Sequence, residues 1–115
     1  MAKPIEEGEW KEFLVNYGIR HGGKRTRLGV FEIRDGVVND LWLDDGLPLL
    51  GIDVDTTNGR QTVGLIFDRL KYSIENVSDI AEVCDAAVGN GLDIRDREGK
   101  TTALRFEDDN VESEE

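Results

Sequence analysis

The chain has 115 residues, with 14 Lys and Arg against 25 Asp and Glu and a net charge of −11, long enough for one hydrophobic core without metal or disulfide staples. Six of the acids and none of the bases fall in residues 107–115, which leaves 14 bases against 19 acids before them; a body of that sign repels phosphate backbones, which argues against a nucleic-acid reader. No apolar run approaches the ~20 residues of a membrane span, no apolar leader segment opens the chain, and the single cysteine, Cys84, makes no internal disulfide, so the expectation is a cytoplasmic domain with no membrane partner.

Residues 5–21 carry a helical period. Trp10, Phe13, Leu14 and Tyr17 stand at i, i+3, i+4 and i+7, one stripe that can lie across a sheet. Glu6, Glu7 and Glu9 near its start and Arg20 and His21 near its end suit the helix dipole, and Gly22-Gly23 stops it. From Lys24 the period becomes 2. Thr26, Leu28 and Val30 alternate with Arg25 and Arg27, while Phe31 and Ile33 take the other parity, which predicts a bulge near Gly29 or Val30. Asp35-Gly36 is a turn signal, and Val37 to Leu43 reads as the partner strand, with Trp42 on the face opposite Leu41 and Leu43. Pro48 lacks an N–H, so Leu47-Pro48-Leu49-Leu50 is expected as a buried loop or bulged edge.

Gly51 to Phe67 is the strongest local signal. Two alternating runs flank Asn58-Gly59, and both turn residues tolerate the positive φ that a tight hairpin requires. Leu70, Tyr72 and Ile74 form another half-buried strand. In residues 78–89 the spacing of Ile80, Val83, Cys84, Ala87 and Val88 favours a short helix, with a strand near Ile80 to Asp85 as the competing reading. Leu92 to Arg95, a turn at Asp96 to Gly99, and Thr101 to Phe106 make a second hairpin. The acidic segment 107–115 has too little to bury to order itself. The expected fold is mainly β (α+β): one N-terminal helix on an antiparallel barrel or sandwich of about six to eight short strands, in a single domain spanning 1–106.

The order of Ile5, Trp10, Phe13 and His21, then Leu47-Pro48-Leu49 with Gly51-Ile52, then Leu92 and Ile94, then Gly99 with Leu104-Arg105-Phe106, resembles a family of small bacterial and archaeal proteins, domain of unknown function 5335. The resemblance covers nearly the whole chain and implies a strand at 80–85. The family has no known activity to carry over.

Motifs that would carry chemistry fail on spacing. Asp53 to Gly59 looks like the start of a calcium loop, but Asn58 stands where the loop needs glycine and Gly64 where it needs glutamate. Gly99-Lys100-Thr101 has Ile94 where a phosphate loop needs glycine. No catalytic residue or cofactor is assigned. His21 is read as capping the helix end and Cys84 as an inert buried thiol. Two candidate surfaces remain. Arg20, His21, Lys24, Arg25 and Arg27, together with Trp42, could bind another protein. Asp40, Asp44, Asp45, Asp53 and Asp55 could hold a divalent metal or small ligand if folding gathers them. The favoured expectation is a non-enzymatic interaction or accessory domain, with a sheet edge able to support a weak homo-oligomer.

Overall fold

The computed structural model describes residues 2–34, 37–68, 70–85 and 89–107, and for 33, 34, 37–45 and 85 it describes the backbone. In chain order the elements are β1 (Ala2–Ile5), a 3-10 turn (Glu7–Glu9), α1 (Trp10–Arg20), β2 (Arg25–Arg34), β3 (Val37–Thr57), β4 (Arg60–Phe67), β5 (Leu70–Ile74), β6 (Val77–Asp85), β7 (Gly89–Asp96) and β8 (Thr101–Phe106). The strands pair antiparallel in one eight-stranded sheet, ordered β1-β6-β7-β8-β2-β3-β4-β5. The fold is therefore the mainly β domain with one leading helix that the periodicities predict. Its sheet is open, with β1 and β5 as unpaired edges, and is not closed into the expected barrel.

The 21-residue β3 gives the sheet its shape. As far as Pro48 it pairs with β2, and from Leu49 onward it pairs with β4. Leu28, Ile80, Leu92, Ile94, Leu104 and Phe106 from one side of this handover meet Leu49, Ile52, Val63, Leu65, Phe67 and Ile74 from the other in one core. Trp10, Leu14 and Tyr17 of α1 close it. Burying each such side chain contributes about 1.5–3 kcal/mol. The Trp10 indole N–H also donates to the Ile5 carbonyl at 2.9 Å. At Gly18 the helix lies so close to β3 that an added Cβ would stand 2.8 Å from the Ile52 nitrogen.

Three expectations need correction. The helix begins later than residue 5, because Ala2 to Ile5 pair with Val83 to Ile80 of β6 as a strand. Pro48 lies within β3 rather than in a loop or edge; it sits opposite Arg25, where the strand is leaving β2 and has not yet joined β4, a place where a missing N–H costs little. Residues 77–85 form a strand between β1 and β7. Ile80 and Val83, three apart, imitate a helical stripe, but on a strand they lie on opposite faces, and both are buried.

The other turns agree with the sequence. Thr57 pairs with Arg60 across Asn58 and Gly59, whose φ values are 55° and 77°. The β2 ladder shifts register between Leu28 and Gly29, beside the expected bulge. The Asp35-Gly36 turn and the tail from 108 to 115 lie outside the described residues. Glu107 is held: its N–H donates to the Arg25 carbonyl at 3.1 Å, and its carboxylate accepts from the Gly46 N–H.

Candidate functional site

The structure divides the predicted cationic patch. Arg20, His21 and Lys24 gather around two aromatic rings at the end of α1. His21 stacks against Phe106 with centroids 4.7 Å apart and lies 4.4 Å from Tyr17, the Arg20 guanidinium is 5.6 Å from the Tyr17 centroid, and the Lys24 ammonium is 5.6 Å from that of Phe106. These contacts tie the cations to the core's rim. Arg25 and Arg27 are exposed and alternate with buried Thr26 and Leu28, so they occupy the other face of β2. The Trp42 backbone pairs with Gly29, and its side chain lies outside the described residues.

The aspartates are spread along one strand. Asp40, Asp44 and Asp45 stand opposite Phe31, Leu28 and Arg27 on β2, whereas Asp53 and Asp55 stand opposite Gly64 and Thr62 on β4. Eight positions separate Asp45 from Asp53, a contour of about 26 Å at ~3.3 Å per residue. The carboxylates of Asp40, Asp44 and Asp45 lie outside the described residues. Asp53 is engaged by the Lys71 ammonium at 3.0 Å. Among the described residues no three His, Cys, Asp or Glu side chains gather to hold a metal ion. Cys84, expected to be buried, is exposed; it lies near the end of β6 opposite Asn90, where the strand replaces the apolar helix face that would have covered it.

A different set of residues builds a concave site. Beyond Ile74, the chain leaves β5 and turns through Glu75 and Asn76, whose φ of 58° is left-handed. Across from it is the β7–β8 turn. Asp96 shapes that turn: one oxygen of its carboxylate accepts the N–H groups of Glu98 at 2.9 Å and Lys100 at 3.0 Å, and its own N–H donates to the Lys100 carbonyl. Aspartate is suited to this because its short side chain reaches the backbone two residues on. The Arg97 N–H donates to the Asn76 carbonyl at 3.0 Å, tying the two turns together.

Between them lies a polar cleft of about 350 Å³, lined by Arg60, Tyr72, Ser73, Ile74, Glu75, Asn76, Asp96, Glu98, Lys100 and Thr102. Arg60, Glu75 and Glu98 are exposed at its rim, while Ile74, Asp96 and Thr102 are buried beneath. Thr102 is 1% exposed, and its hydroxyl is buried with no hydrogen-bond partner among the described residues. The other buried threonine on the inward face, Thr26, donates to the Leu47 carbonyl at 2.8 Å.

Sequence reasoning missed this cleft because its members come from three separated segments, each read as a turn or strand. One signal was present. In Thr102, Leu104 and Phe106 a hydroxyl occupies the parity that the next two residues use for the core.

Comparison with known proteins adds the fold alone. No family model and no curated protein matches the chain. Among the described residues, no helix is long and apolar enough to cross a membrane. The chain is similar in structure to the YojF protein of Bacillus subtilis, with a TM-score of 0.52 and 11% identity over 90% of each chain.

Proposed function

We propose that the protein is a non-enzymatic, cytoplasmic binding domain that takes a small polar solute into the cleft between the β5–β6 and β7–β8 turns. The observation that carries this reading is the Thr102 hydroxyl, buried and without a partner beneath a polar cleft. An unsatisfied buried polar group costs about 1–3 kcal/mol, and an occupant that supplies its partner recovers that cost. Titration of the 15N-labelled protein with mixtures of small polar compounds tests the reading. Saturable shifts are expected at the amides of Ile74, Asn76, Glu98, Lys100 and Thr102, and they should weaken in Thr102→Val. Failure of every mixture to move them at millimolar concentration would refute it.

A second reading, docking of a protein at the sheet edge, has one observation in its favour. Leu70 is 42% exposed on edge strand β5, where unpaired backbone groups can accept another strand. Self-association through this edge predicts a sedimentation coefficient that rises with concentration and ceases to do so in Leu70→Lys.

A further inference from the structure

We infer that the cleft selects a small zwitterion, a molecule of amino-acid to dipeptide size with an ammonium group at one end and a carboxylate at the other. This rests on the cleft being a ligand site. The inference comes from how charge is distributed around it. One wall, from β4 and the β5–β6 turn, carries Arg60 and Glu75; the other, the β7–β8 turn, carries Glu98 and Lys100. Each wall therefore presents one cation and one carboxylate. Among the described residues, none of these four side chains is in an ion pair.

That arrangement discriminates by sign. A dianion would find Arg60 and Lys100 but would also face Glu75, Glu98 and the buried Asp96 carboxylate. A dication would meet the reverse conflict. A neutral polyol would displace water from four charged groups and return no charge of its own. A zwitterion can set each end against the opposite sign, which is selection by unfavourable as well as favourable contacts. Asp96 has a positioning role, since its bonds to the Glu98 and Lys100 N–H groups hold the turn that carries both charges. Thr102 lies in the lining between the two walls. The cleft's volume of about 350 Å³ is at the small end of ligand pockets, roughly 300–1,000 Å³. Because the rim charges are largely exposed, each contributes little and the affinity should be millimolar.

The dipeptide Gly-Ser and its two singly blocked forms, N-acetyl-Gly-Ser and Gly-Ser amide, test the inference on the full chain by amide chemical-shift titration. Gly-Ser should bind saturably at the cleft amides, and each blocked form should bind about two- to fivefold more weakly, the loss expected for one exposed charge contact. Arg60→Gln and Glu75→Gln, both at exposed positions, should each weaken Gly-Ser binding while leaving amides away from the cleft unmoved. If the blocked forms bind as well as Gly-Ser, or if succinate, putrescine or glycerol binds more tightly at the same amides, the zwitterion inference fails while the cleft remains a ligand site. No shift with any of these compounds or with the mixtures would overturn both.

Discussion

Replacing Thr102 and Thr26 by valine makes the same chemical edit at two buried positions of neighbouring strands, and the two should move stability in opposite directions. Valine keeps the shape of threonine and exchanges the hydroxyl for a methyl group. At Thr26 the edit removes a 2.8 Å hydrogen bond and leaves the Leu47 carbonyl without that donor, at a cost of about 1–2 kcal/mol. At Thr102 it removes a buried hydroxyl that has no partner, so the penalty of roughly 1–3 kcal/mol for an unsatisfied group is relieved and a gain of about 1 kcal/mol is expected. The two variants should therefore differ by about 2–3 kcal/mol. Urea denaturation reads this as midpoints on either side of the parent's with a common slope. A Thr102→Val protein destabilised as much as Thr26→Val would show that the Thr102 hydroxyl is satisfied in the native state, and the case for the cleft would lose its carrying observation. A stabilised protein that no longer binds its solute is the expected signature of a group kept for a ligand rather than for the fold.

Gly18→Ala should lower stability by about 1–2 kcal/mol although alanine favours helix by ~1 kcal/mol, because overpacking against backbone that cannot swing aside costs ~2–3 kcal/mol, the upper part of the usual range; the new Cβ would meet Ile52 and Gly51 main-chain atoms at 2.8 to 3.2 Å. A Gly18→Ala variant as stable as the parent would show that helix and strand can separate freely. Gly59→Val should cost about 1–2 kcal/mol through its positive φ, read as a melting temperature lower by several degrees, and an unchanged value would contradict the tight turn. Cys84, being exposed, should react with a thiol reagent in the native protein at a rate that denaturant barely raises. Labelling that waits for unfolding would place it back in the core.

The legible parts of the fold were those where local chemistry and tertiary pairing agree. Asn58-Gly59 specifies its turn whatever surrounds it, and the Trp10, Phe13, Leu14 and Tyr17 stripe buries the face it announces. Legibility failed where long-range pairing decides the outcome. Val77 to Asp85 becomes a strand because β1 and β7 hydrogen-bond to both its sides, information that no window around Ile80 contains. Pro48 misled for the same reason, since its tolerance depends on two ladders changing partners around it. The candidate site was less legible still. Arg60, Glu75, Asp96 and Lys100 are ordinary surface or turn residues in sequence, and it is long-range contacts, the pairing of Val77 with Asp96 and the bond from Arg97 to Asn76 among them, that bring the two turns together. The cationic run at 20–27 was conspicuous in sequence, yet β2 alternation sends Arg25 and Arg27 to a different face from Thr26 and Leu28.

The pairing of β1 with β6 also sets an order of assembly. Ile5 meets Ile80, so the element that precedes the rest of the domain waits for one near its far end, and closing so large a loop is slow. Until it closes, β6 has β7 on one side and bare backbone on the other, with Val77, Ile80 and Val83 along it, a template on which a second chain can aggregate. Once β1 is placed, its Pro4, which has no N–H to offer, helps prevent the sheet from growing further at that margin. Refolding yield should therefore fall with protein concentration, and fall more steeply in Pro4→Val; equal yields for the two proteins at every concentration would deny β1 this guarding role.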